Sequence, residues 1–166
     1  MLLFTSTHQV NFAPKIFLLY KIGKLKKVSF MTRKARKVLK QSGVIPYRVT
    51  NGKVEVLLVT TSDCKNWVIP KGGICNGMSP PASAAKEAWE EAGVIGEVNS
   101  NQLGTYKYRK QGKTYEVQTY LLAVDTVLSD WPEANQRRRE WLEPSKAIRR
   151  VKKGSLKQIL KGFSCE

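Results

Sequence analysis

The sequence predicts an α/β (α+β) domain in which helices pack on a mixed sheet. Three observations lead there. From residue 41 onward, short β-branched and apolar runs alternate with turn residues. One central stretch, residues 80–92, carries helix periodicity instead, and two further helix-like stretches close the chain. Strands interrupted by one helix and finished by others form layers of helix on sheet. No internal repeat is visible.

Residues 43–50 (GVIPYRVT) and 54–61 (VEVLLVTT) flank Asn51-Gly52, the dipeptide that most strongly signals a tight hairpin. Residues 67–70 read as a short strand ended by Pro70, followed by a glycine loop at Lys71-Gly72-Gly73. A second hairpin is expected from residues 105–109 and 114–125 around Gln111-Gly112, and one more strand at 140–142. Residues 145–152 and 155–161 read as helices, with Ser145 and Ser155 as candidate N-caps.

The charge is uneven. The chain carries +16, but residues 1–54 hold twelve Lys or Arg and no acid before Glu55. Residues 1–35 read as a basic leader, either disordered or preceding a true start at Met31, and residues 36–166 as the folded domain. The longest apolar run there, Ile16 to Tyr20, is far short of the roughly 20 residues a membrane span needs, so no membrane partner is expected. Cys64, Cys75 and Cys165 suit neither a disulfide framework nor a zinc site, which points to a cytoplasmic protein. His8 is the only histidine, so a Ser-His-Asp triad, a Cys-His pair and a His-based zinc helix are all excluded. Any catalysis must run on carboxylates, lysines or a metal.

Residues 70–94, PKGGICNGMSPPASAAKEAWEEAGV, carry that chemistry. Ser79 is a good N-cap, Pro80 suits the first helical position, and Gly93 suits a left-handed stop. At 100° per residue, Ala84, Ala85, Ala88, Trp89 and Ala92 share one arc, and Glu87, Glu90 and Glu91 gather almost opposite. Like charges at that spacing repel. A hard divalent cation, which prefers oxygen ligands, offsets the repulsion.

This stretch resembles the Nudix box, G-x5-E-x7-R-E-U-x-E-E-x-G-U. Gly72 aligns with the opening glycine, Glu87, Glu90 and Glu91 with the metal-site glutamates, and Gly93 and Val94 with the close. Met78 departs from the expected glutamate and Lys86 from the expected arginine. The resemblance extends over roughly residues 40–162. Ser42 to Arg48, Trp67 to Gly73, Asp130 to Glu133 and Arg139 to Trp141 are similar to the diphosphoinositol polyphosphate and diadenosine polyphosphate phosphohydrolase branch.

The resemblance implies an α/β/α sandwich and a hydrolase of phosphoanhydride bonds in dinucleoside or diphosphoinositol polyphosphates. It implies Mg2+ or Mn2+ held by Glu87, Glu90, Glu91 and Gly72, with Glu90 as ligand or general base and Glu116 a second base candidate. A polyanionic substrate calls for a basic pocket. Arg48, Lys71, Gly73, Lys107, Arg109 and Lys110 are the expected binding residues, with Arg137 to Arg139 a further cluster. The small-molecule polyphosphate is the expected partner, nucleic acid is less favoured, and a monomer or homodimer is expected. Alternatives are an RNA 5′-pyrophosphohydrolase, a nucleotide-pool sanitising enzyme, or a catalytically weak nucleotide- or RNA-binding domain.

Overall fold

The computed structural model describes residues 37–163. The basic leader expected at 1–35, His8 and Cys165 lie outside them. Eight strands and three helices follow in the order β1 (Val38–Thr50), β2 (Lys53–Thr60), β3 (Trp67–Val68), β4 (Lys71–Gly73), α1 (Pro80–Ala92), β5 (Val94–Val98), β6 (Gly104–Lys110), β7 (Lys113–Val127), β8 (Arg139–Leu142), α2 (Pro144–Arg150) and α3 (Gly154–Phe163).

Both hairpins form where the turn dipeptides place them. Asn51 and Gly52 take φ of 51° and 71°, and Gln111 and Gly112 take 49° and 73°. That left-handed pair matches the twist of the strands it joins. The strands make one mixed sheet of order β3-β2-β1-β7-β5, with β4 beside β1, β6 beside β7 and β8 beside β2. At its centre β1 runs parallel to β7, Val38 opposite Thr114 through Tyr47 opposite Ala123.

Alternation along these strands splits the core in two. One face puts Ile45, Val56, Leu58, Ile69 and Val117 against Ala147, Leu156 and Leu160 of α2 and α3. The other puts Val44, Leu57, Val59, Tyr120 and Leu122 against Ala84, Ala88 and Ala92 of α1. The result is the expected α/β/α arrangement. No described helix is long and apolar enough to cross a membrane.

Several local expectations need correction. Lys71-Gly72-Gly73 is not a loop: it pairs antiparallel with β1, Ser42 opposite Gly72. Tertiary pairing overrides the weak strand propensity of glycine there. β5 is a strand beyond those expected. Gly96 interrupts its apolar pattern at a register shift, where the Ala123 carbonyl occupies the space of a Cβ. Ser145 and Ser155 are not caps. Pro144 takes the first helical position behind Glu143, which makes no side-chain cap bond, and the carbonyl of Lys153 accepts the first hydrogen bond of α3. Trp89 was expected among the packed alanines but is 41% exposed.

Candidate active site

Helix α1 spans Pro80–Ala92 as the sequence dictates. The Ser79 side chain accepts from the Ala82 N–H, and Gly93 closes the helix at φ 61°. Arg139 reinforces that end, donating to the carbonyls of Ala92 at 2.7 Å and Leu128 at 2.6 Å while its guanidinium stacks on Trp131. A cation among C-terminal carbonyls also complements the helix dipole.

The stripe Ser83–Glu87–Glu91, one residue per turn, lies against β4 and the segment after it. Cys75 N–H donates to Ser83 Oγ at 3.1 Å. The Glu87 carboxylate fills the space where a Cβ at position 72 would stand. Lys71 N–H donates to Glu91 Oε2 at 3.1 Å. Ser83, Glu87 and Glu91 thus meet, in turn, the segment after β4, Gly72 and Lys71.

Glu91 is only 3% exposed, although it lies almost opposite the packed alanines, because β4 covers that side of the helix. Burial pushes its carboxyl up to about 7, against the pull of Lys71 and Arg137. Arg137 is itself 11% exposed and pairs with both Glu91 and Glu133. It also donates to the Thr60 carbonyl at 2.9 Å. Glu87 is raised by burial and by repulsion from Glu90, and no ion pair within 4 Å holds it among the described residues. Glu90 pairs with Lys86 one turn back. The carboxylates therefore sit on one helix, with Glu90 and Glu91 held by different cations and, among the described residues, Glu87 by none. Among the described residues no three His, Cys, Asp or Glu side chains group as a ready metal site.

On the far side of β4 lies a cavity of about 420 Å³ whose lining includes Trp67, Lys71, Tyr106 and Tyr108. Arg109, Lys110, Lys152 and Lys153 add four cations to it and Asp63 one acid. Lys71 belongs to both regions. Its backbone holds Glu91, and its ammonium lies 5.7 Å from the Tyr108 ring centroid. Burial lowers its pKa, with Glu91 opposing and Arg137 and Lys110 assisting.

Of the expected binding residues, Lys71, Arg109 and Lys110 line this one cavity. Arg48 does not. It ends β1 far from β4, bonded to Glu55 at 2.8 Å and stacked on Trp141. Lys107 is not among the residues that line the cavity. It pairs with Glu116 at 3.0 Å. Glu116 is also bonded by Lys40, and the two hydrogen bonds lower its pKa, which makes it a poor base. Gly73 has open space where a side chain would stand. Sequence reasoning missed the inward role of Arg137, for which the Glu133–Arg137 spacing of four was the available signal. It also missed Tyr106, Lys152 and Lys153, which nothing local marks.

The fold and the helix–glycine pairing define a class. The NUDIX domain family profile matches residues 39–162, and the chain belongs to that family. Nudix hydrolase 12, mitochondrial, of Arabidopsis thaliana is 31% identical over 143 residues, covering 74% of this chain and 70% of that protein. Diphosphoinositol polyphosphate phosphohydrolase 2 of Rattus norvegicus is 36% identical over 98 residues, covering 57% and 53%. The chain spans 64% of Nudix hydrolase 13, mitochondrial, of Arabidopsis thaliana, so these curated relatives extend well beyond the matched region. Among solved structures, a C. elegans Ap4A hydrolase matches with a TM-score of 0.66 at 26% identity, covering 78% of this chain and 98% of that one.

Proposed function

We propose that this Nudix hydrolase splits phosphoanhydride bonds in small polyphosphates, either dinucleoside polyphosphates or diphosphoinositol polyphosphates. The observation that carries this is the double role of Lys71, whose backbone anchors the acidic helix stripe while its side chain enters the cationic cavity. A polyanion seated among Lys71, Arg109 and Lys110 would be tied to the acidic helix through β4, by the same residue whose backbone N–H holds Glu91.

The residues fit a hard divalent ion, Mg2+ or Mn2+. The Glu87 carboxylate rests in a cradle that any side chain at 72 would fill, and burial first, then repulsion from Glu90, raise its pKa. Glu87, Glu90 and Glu91, with the Gly72 carbonyl, would hold the ion. When bound it neutralises phosphate oxygens and acidifies a bound water. Glu90 would join the set only by releasing Lys86, whose side chain is 38% exposed. Water attacks one phosphorus and the bridging P–O bond breaks. A carboxylate of the triplet takes the proton of the attacking water.

Purified protein with Mg2+ or Mn2+ is expected to release nucleotide or phosphate from diadenosine or diphosphoinositol polyphosphates. EDTA should stop the reaction, and Glu90→Gln or Glu87→Gln should abolish it. Absence of turnover on both substrate types with either ion would sink the reading.

A further inference from the structure

Among the described residues, three buried side-chain polar atoms have no hydrogen-bond partner: the Tyr106 hydroxyl, Thr119 Oγ1 and Trp131 Nε1. Tyr106 alone of the three lines the cationic cavity. The residue is 4% exposed and belongs to the core beneath α2 and α3. A buried hydroxyl without a partner is costly, and phenylalanine would fill the same space without that cost. Among the described residues the chain supplies no acceptor for this hydroxyl.

The cavity indicates what kind. Lys71 enters it from β4, and Lys152 and Lys153 enter it from the linker between α2 and α3. Neither Lys152 nor Lys153 makes an ion pair within 4 Å among the described residues, unlike Lys40, Arg48, Lys107 and Arg137, which are all paired. The aromatic rings present are partly engaged: Arg150 lies 5.1 Å from the Trp67 ring, and Tyr108 stacks on Tyr115 at 5.0 Å. What stays free is a set of ammonium groups and one hydroxyl donor, which together suit a multiply charged oxyanion.

We infer that Tyr106 is a substrate-anchoring residue, its hydroxyl donating to an oxygen of a non-reacting phosphate held by Lys71, Lys152 and Lys153. The inference rests on the phosphoanhydride reading above and deepens it. The phosphate could belong to a nucleotide's polyphosphate chain or to a phosphorylated cyclitol, since both present the same oxygens.

The test is calorimetry on the full chain in EDTA, so that no metal contributes. The probes are inorganic tripolyphosphate, adenosine 5′-triphosphate and myo-inositol hexakisphosphate. Wild type is expected to bind tripolyphosphate and at least one of the other two, and which one binds more tightly identifies the source of the phosphate. Tyr106→Phe should weaken tripolyphosphate binding roughly tenfold or more, as for a lost bond to a charged acceptor. The thermal midpoint of the ligand-free variant should be unchanged or higher. The Lys152→Ala/Lys153→Ala double variant should weaken binding too. With metal present, Tyr106→Phe should raise KM more than it lowers kcat. Wild type that ignores tripolyphosphate, or Tyr106→Phe that binds it as well as wild type, overturns the inference. So does a Tyr106→Phe variant that loses thermal stability and keeps its affinity, which would mark a structural hydroxyl. Metal-dependent turnover of wild type is scored separately, so a failed subsite and a failed hydrolase reading give different results.

Discussion

The carboxylate of Glu87 occupies the space that a side chain at Gly72 would fill. Gly72 sits in β4 opposite Ser42 without a left-handed φ, so its glycine is required by close approach and not by backbone conformation. Gly72→Ala should leave the fold intact, because the displaced group is the far end of a flexible side chain. It should nonetheless shift Glu87 and cut turnover by about 100-fold, the scale of a 1 Å misplacement at a reacting centre. Circular dichroism and steady-state kinetics check both parts, and near-normal turnover would refute the placement.

The buried pair between Arg137 and Glu91 ties the segment before β8 to the acidic helix. Removing one partner leaves a desolvated charge. Arg137→Ala is expected to destabilise the domain by about 3–5 kcal/mol, read from urea unfolding. A loss below about 1 kcal/mol, the scale of an exposed pair, would show that the guanidinium adds little.

Metal-free stability should depend on pH through Glu91. Its carboxyl titrates near the ordinary 4.5 when unfolded and at about 7 when folded. The folded state binds that proton more tightly. The contribution is therefore fully present below 4.5 and is lost as pH rises through 7, by up to roughly 3 kcal/mol. In EDTA, wild type should lose stability relative to Glu91→Gln between those pH values. A pH-independent difference would contradict this. Added Mg2+ or Mn2+ should oppose the loss, since a cation replaces the proton.

Lys86 competes for Glu90 through an exposed ion pair one helical turn away. Its pKa is raised, first by that hydrogen bond. Lys86→Gln should free Glu90 and tighten Mn2+ binding in calorimetry, with the thermal midpoint little changed. Weaker Mn2+ binding would show that the lysine supports the site instead of masking it.

Local signals were readable wherever a few adjacent residues suffice. Asn51-Gly52 and Gln111-Gly112 turn the chain in left-handed φ, and Ser79, Pro80 and Gly93 delimit α1 to the residue. The spacing of Glu87, Glu90 and Glu91 and the glycine at 72 were legible for the same reason. Helix periodicity misplaces Trp89, however, and is silent on the burial of Glu91, because it reports angles around an axis and not what is packed against each angle. Arg48 and Lys107 lie near useful strands in sequence, but ion pairs across neighbouring strands, with Glu55 and Glu116, hold them elsewhere.

Turn chemistry, helix limits and the inventory of charged groups are determined within the chain itself, since each depends on dihedral preferences and hydrogen bonds spanning a handful of residues. The parallel union of β1 with β7, the strand identity of Lys71-Gly72-Gly73, the burial of Glu91 under Arg137 and the cavity floored by Tyr106 were decided only by tertiary structure. Each joins segments distant in sequence, and such contacts form where sheet pairing brings the partners together and water is excluded around them.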